Sequence, residues 1–153
     1  MPTDLVIRPI RSSDLAAWRP LWDGYNAFYG RAGETALPEE RTRILWERFF
    51  DEQVPMHALV AELDGQVVGL SHYLFHLSTT RPGGVCYLQD LFTAPALRGK
   101  GVGRALIEAT AAAAKAQGSE RLYWQTHETN ATGRALYDRV AQHQGFIVYG
   151  RDV

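Results

Sequence analysis

The run Arg98-Gly99-Lys100-Gly101-Val102-Gly103-Arg104 sets three alternating glycines among three cations. It follows a strand-like stretch and leads into a helical one. In that setting bare backbone amides and the positive end of a helix dipole converge on an anion. Glycines let a phosphate approach the backbone closely, and Arg98, Lys100 and Arg104 add charge. Two familiar phosphate motifs fail on spacing. A dinucleotide fingerprint counted from Gly101 needs a third small residue where Leu106 stands, and a P-loop needs Ser or Thr after Lys100, where Gly101 stands. His72 and His76 are four apart but lie in a strand-like run with no third ligand in evidence, so no metal centre is expected. Cys86 is the only cysteine, which precludes an internal disulfide framework and a thiolate cage; it reads as a small core residue. Asn130-Ala131-Thr132 is a formal glycosylation triplet, which carries weight only in a secreted chain.

The elements that must position these residues follow from apolar periodicity. Leu5–Ile10 reads as a strand. Ser12 or Ser13 can cap a helix with Asp14 in its first turn, and Leu15, Trp18, Trp22, Tyr25 and Phe28/Tyr29 then keep helical spacing. Pro20 predicts a kink or break near Arg19. After a loop at Gly30–Leu37, Pro38 opens a second helix running to about Asp51. Met56–Leu63 and Gln66–Leu77 read as strands joined by an Asp64-Gly65 turn, and Val85–Thr93 as a third strand after Pro82-Gly83-Gly84. Val102, Ala105, Leu106, Ala109 and Ala113 mark one face of a helix ended by Gly118. Arg121–Thr126 is strand-like, Asn130–Ala141 helical and Phe146–Asp152 a final strand. Antiparallel hairpins early and crossover helices late favour an α/β fold of the α+β mixed-sheet kind over a doubly wound sheet or a barrel.

Composition sets the outer bounds. The 153 residues, 46% hydrophobic and 22% charged, suit one globular domain spanning positions 1–153. A formal charge of −1 gives no global attraction to nucleic acid or an anionic membrane. Met-Pro-Thr-Asp-Leu at the start lacks the pattern of a secretory signal, and no apolar run is long enough to span a bilayer. A cytoplasmic protein with no nucleic-acid and no membrane partner is the expectation.

Arg98-Gly99-Lys100-Gly101-Val102-Gly103 resembles the acetyl-CoA pyrophosphate loop of the GNAT superfamily of N-acetyltransferases, whose pattern is Gln/Arg-x-x-Gly-x-Gly/Ala. Tyr87-Leu88-Gln89-Asp90-Leu91-Phe92 and Asn130…Arg134-Ala135-Leu136-Tyr137 are similar to the same family, closest to its polyamine and small-amine branch. The resemblance implies a central mixed sheet with antiparallel early strands, a splayed parallel pair (Val85–Thr93 and Arg121–Thr126) and about four flanking helices. It implies that backbone groups of Leu91, Phe92 and Thr93 hydrogen-bond the pantetheine arm as a further strand would. Amides of Arg98, Gly99, Lys100, Gly101, Val102, Gly103 and Arg104 would hold the pyrophosphate. Asn130 would touch the cofactor or simply cap its helix. Tyr137 matches the family tyrosine that binds near, and protonates, the departing thiolate.

The implied reaction, acetyl transfer from acetyl-CoA to an amine, has three demands. An alkylammonium of pKa about 10.4 is almost wholly charged at neutral pH, a deficit of about 4–5 kcal/mol that desolvation or a base must offset. Donor and acceptor must be held in attack geometry. A strand N–H near Leu91 or Phe92 would stabilise the oxyanion. A phenol of pKa about 10 can protonate a thiolate whose acid has pKa about 8.5. The base stays open. Related polyamine enzymes carry glutamate where Gln89 stands, so Gln89 can only hold a water. Asp90 follows, but strand alternation puts it on the opposite face from Gln89 unless a bulge redirects it. Glu128 and His127, just past the next strand, are further candidates.

Trp18, Trp22 and Trp46 read as core, and with Tyr25 and Tyr29 as an alternative wall for an amine. The leading expectation is direct acetylation of a small-molecule primary amine, polyamine-, amino-acid- or drug-like. Acetylation of a protein N-terminus or lysine, or a non-catalytic acyl-CoA-binding module, are the alternatives. A homodimer through the final strand is a further expectation. Charge divides along the chain, with 8 cations against 12 anions up to Leu97 and 8 against 5 from Arg98 onward. Such a split suits an anionic donor on one side and a cationic acceptor on the other.

Overall fold

The computed structural model describes residues 4–153. A five-stranded sheet runs in the order β1 (Leu5–Pro9), β2 (Met56–Leu63), β3 (Gln66–His76), β4 (Val85–Thr93) and β5 (Leu122–Tyr123). The first four strands pair antiparallel and β4 pairs parallel with β5. Around it lie α1 (Leu15–Phe28), α2 (Glu39–Arg48), α3 (Val102–Ala116) and α4 (Ala131–Val140). This is the mixed sheet with four helices that the order of apolar runs predicts.

Both sheet faces are buried. On one, Trp18, Leu21, Trp22 and Tyr25 of α1 pack over Val60 and Leu70. On the other, Val102, Leu106 and Ala114 of α3 cover Leu59, Ala61 and Cys86. Each large side chain so removed from water contributes about 1.5–3 kcal/mol. Residue 24 must be small for α1 to lie this close to β4, since a Cβ there would sit 2.9 Å from Phe92 Cζ.

Three expectations need correction. α1 is one helix through Pro20, with no break at Arg19. The proline lies in the second turn and removes only one hydrogen bond there, while Trp18 and Trp22 on either side are held in the core. β5 ends at Tyr123 instead of Thr126. The final strand does not form: residues 142–153 have no regular structure, and Phe146, Ile147, Val148 and Tyr149 are 70% to 89% exposed. An apolar strand pattern needs an edge to pair with, and this segment finds none on its own chain.

A bulge in β4 positions everything that follows. Tyr73 faces Leu88 and His72 faces Asp90, so Gln89 is an extra residue with no partner on β3. One extra residue reverses which face each later side chain takes. Cys86 before the bulge and Leu91 after it both pack toward α3, while Phe92 packs toward α1. Asp90 is thereby turned toward α1, onto the face that holds His72 and Trp18.

Candidate active site

The β4–β5 ladder consists of Cys86 with Leu122 and Tyr87 with Tyr123, and the strands part just before the bulge. Beyond Tyr87, β4 therefore has an open edge. The Ala94 N–H donates to the Val68 carbonyl at 2.8 Å, which sets the phase of the antiparallel ladder. Asp90 and Phe92 direct their backbone groups to β3, whereas Leu91 and Thr93 direct theirs into the opening. An extended chain carrying amides can add to that edge as a strand. Of the three backbone positions expected to serve it, Leu91 is available and Thr93 offers its amide, its carbonyl already accepting from Arg98 Nε. Phe92 is not available, because its amide and carbonyl face Leu70; its ring instead lies 5.2 Å below the Arg98 guanidinium.

The glycine-rich turn lies at the mouth of this opening. Gly101 is the N-cap of α3 with φ +84°, a left-handed conformation that favours glycine, and it provides no side-chain cap. The first intrahelical bond runs from the Ala105 N–H to the Gly101 carbonyl at 3.0 Å. The amides of Val102, Gly103 and Arg104 thus have no intrahelical acceptor and point outward at the positive end of the dipole. Lys100 and Arg104 are exposed beside them, while Arg98 donates from Nε to the Thr93 carbonyl at 3.3 Å. Val102 is buried and anchors the turn. Uncapped amides with flanking cations fit a diphosphate.

On the α1 side of the bulge is a cavity of about 390 Å³ bordered by Trp22, Arg31, Arg41, His72, Gln89 and Asp90, among others. The bulge explains why Gln89 and Asp90, adjacent in sequence, both reach it. Asp90 is only 9% exposed and its Oδ2 lies 2.9 Å from His72 Nδ1. His72 is 2% exposed, and its Nε2 lies 3.0 Å from Trp18 Nε1. Indole N–H only donates, so Nε2 accepts and the ring hydrogen is on Nδ1, donating to Asp90. Trp18, His72 and Asp90 form a directed chain that fixes the carboxylate at the cavity wall. The Tyr25 hydroxyl lies 3.4 Å from the Gln89 carbonyl, and burial together with the Asp90 charge pushes its pKa well up.

The remaining predicted residues lie across the opening, on the β5 side. Tyr137 is on α4, its ring 5.6 Å from that of Trp124, and burial, with a smaller effect from Tyr29, raises its pKa above the ordinary 10.0. Asn130 caps α4: its Oδ1 accepts from the Gly133 N–H at 3.2 Å and its Nδ2 donates to Thr126 Oγ1 at 2.9 Å, so both ends of its amide are engaged. Glu128 is exposed and only its carbonyl is bound, by Arg134. His127 borders a second cavity of about 540 Å³ with Tyr29 and Asn130. Neither Glu128 nor His127 borders the cavity that holds Asp90. Tyr29 links the two sides, its ring 5.0 Å from that of Tyr25. Cys86 is fully buried with its thiol pKa pushed up to about 12, as a core residue.

Sequence reasoning missed His72, Arg31 and Arg41. A histidine inside an otherwise apolar strand was the available signal, since a buried imidazole needs a polar partner on each nitrogen. Trp18 and Trp22 turn out to divide the two roles considered for them. Trp18 is wholly buried; Trp22, nearly so, also walls the cavity.

A sheet that opens between two parallel strands, with an uncapped glycine-rich helix start at its mouth, is the arrangement that the resemblance to acetyl-CoA-using transferases implies. The model of the acetyltransferase (GNAT) family matches residues 18–141. The D-amino-acid N-acetyltransferase HPA3 of Saccharomyces cerevisiae is 33% identical over 150 residues, 97% of this chain and 91% of that protein. The uncharacterized N-acetyltransferase YhfO of Bacillus subtilis is 31% identical over 145 residues, 94% of each chain. The solved structure of AAC(6')-Iy with a bisubstrate analogue, CoA-S-monomethyl-acetylneamine, covers 97% of this chain and 98% of its own at a TM-score of 0.81. At 17% identity it bears on the fold alone. The chain belongs to the GNAT family and is an N-acetyltransferase. Among the described residues no helix is long and apolar enough to cross a membrane.

Proposed function

We propose that the protein transfers an acetyl group from acetyl-CoA directly to the primary amine of a small, amino-acid-like molecule. The observation that carries this reading is the bulge at Gln89, which delivers a positioned carboxylate, Asp90, to a small cavity beside the open edge of β4. HPA3, whose name records action on D-amino acids, supports the acceptor class.

Asp90 accepts one proton from the bound ammonium, directly or through a water held by Gln89. The freed nitrogen attacks the thioester carbonyl, whose oxygen meets an amide of the β4 edge, that of Leu91, which is turned to the opening where that of Phe92 is not. As the C–N bond forms and the C–S bond breaks, Tyr137 donates its proton to the thiolate. Burial favours this role by keeping the phenol protonated. The second proton lost by nitrogen restores Tyr137, so one proton is released per turnover. Val102, Gly103 and Arg104 hold the diphosphate by their amides, with Lys100 adding charge. Leu91 and Thr93 hold the pantetheine arm.

We also infer pairing with a second copy, supported by the exposed Phe146–Tyr149 segment and by the two-residue β5 standing at the edge of the sheet.

The test is thiol release from acetyl-CoA against a panel of amino acids, polyamines, aminoglycosides and peptides. Release with free amino acids is expected. Release with peptides alone would favour protein acetylation, and tight CoA binding with no release would indicate a non-catalytic binder.

A further inference from the structure

We propose that Arg31 and Arg41 form a carboxylate-binding end of the amine cavity, making the acceptor a zwitterion and excluding polycations. This deepens the reading above and rests on it.

Arg31 and Arg41 both border the cavity, and Asp90 is the one carboxylate among its bordering residues. The cavity is therefore bipolar, with a single anion at the β4 bulge and two cations from the α1–α2 side. On α1 and α2, Arg19 pairs with Asp23 and Glu39, and Arg43 with Glu40 and Glu47. Arg31 and Arg41 have no ion-pair partner among the described residues. Arg41 is the third residue of α2, where a cation opposes the helix dipole, so helix stability does not account for it. Arg31 is preorganised. Its Nε donates to Asn26 Oδ1 at 2.8 Å, and its guanidinium lies 5.4 Å from the Tyr29 ring and 5.9 Å from that of Tyr25. Those contacts leave its terminal N–H groups for an external acceptor.

An α-amino acid carries its ammonium and carboxylate on one carbon, so both poles meet their counterparts in a short cavity. A diamine or polyamine would set its second ammonium against two guanidinium groups, and like charges repel. The arginines thus act as specificity-determining residues.

The experiment measures kcat/KM for alanine, phenylalanine and glutamine, for the matching amides, and for putrescine. The wild type is expected to favour each free acid over its amide by at least about tenfold, the effect of one charge-assisted contact. Arg41→Gln lowers that ratio about tenfold, mainly through the KM of the free acids. Arg41→Lys restores part of it, and Arg41→Glu raises the use of putrescine. Because Arg31 also braces Tyr25, the Arg41 series carries the test. Equal use of acid and amide by the wild type, or an equal loss for both in Arg41→Gln, would overturn the proposal. Thiol release with none of these amines, despite acetyl-CoA binding, would instead overturn the acetyl-transfer reading on which it stands.

Discussion

Replacing His72 with phenylalanine preserves a flat ring of similar size and removes both hydrogen bonds of the chain that holds Asp90. Trp18 Nε1–H, in a residue with no exposure, loses its acceptor, and Asp90 loses its donor. A buried group left unpaired costs about 1–3 kcal/mol, so His72→Phe, which leaves two, should destabilise by about 2–6 kcal/mol. Trp18→Phe costs about 3 kcal/mol for lost volume and for the unpaired Nε2 it leaves on His72. In the double variant the Trp18–His72 contact contains no orphaned polar group, so the two costs do not add. The coupling should be about 1–2 kcal/mol, read as the non-additivity of urea midpoints at constant m. Additivity within about 0.3–0.5 kcal/mol would refute the hydrogen-bonded chain. A second readout separates positioning from stability. His72→Gln keeps a donor and an acceptor and should recover amine turnover better than His72→Phe, with CoA affinity the same in both. Equal amine kinetics in the two variants would show that His72 does not act through Asp90.

Other expectations follow from the same geometry. Tyr137→Phe should lower kcat at least about tenfold with CoA affinity retained, since a general acid contributes about a hundredfold or more. Because burial raises the Tyr137 pKa and the acid must be protonated, the alkaline fall in wild-type kcat from this group should be centred above the ordinary tyrosine value of 10.0, and a fall centred below it would contradict the assignment. Gly101→Asp, at a left-handed φ and beside the free amides, should abolish CoA binding in calorimetry through backbone strain and like charge; normal affinity would remove the turn from the donor site. Phe146→Ser with Val148→Ser should shift sedimentation from dimer to monomer, and an unchanged sedimentation coefficient would leave the tail without that role.

The features legible in the sequence are those decided locally. The Arg98–Arg104 turn is made of consecutive residues, and its glycine phase and flanking strand and helix needed no tertiary knowledge. The mixed sheet followed from element order, since the Asp64-Gly65 hairpin and the later crossover helices each constrain topology. What stayed hidden depends on register. Asp90 reaches the cavity only because Gln89 is skipped by β3, and nothing in Tyr87–Leu91 announces which residue will bulge. The His72–Asp90 contact follows from the same pairing across two strands. Phe146–Tyr149 shows the converse, a local pattern that reads as strand but has no partner within the chain.

Asp90→Asn tests the central claim most directly, by steady-state thiol release with an amino-acid acceptor alongside the calorimetric affinity for CoA. The change preserves shape and hydrogen bonding toward His72 while removing the proton acceptor. The account predicts a loss of at least about a hundredfold in kcat/KM for the amine with CoA affinity unchanged. A variant that turns over amine at the wild-type rate would contradict it.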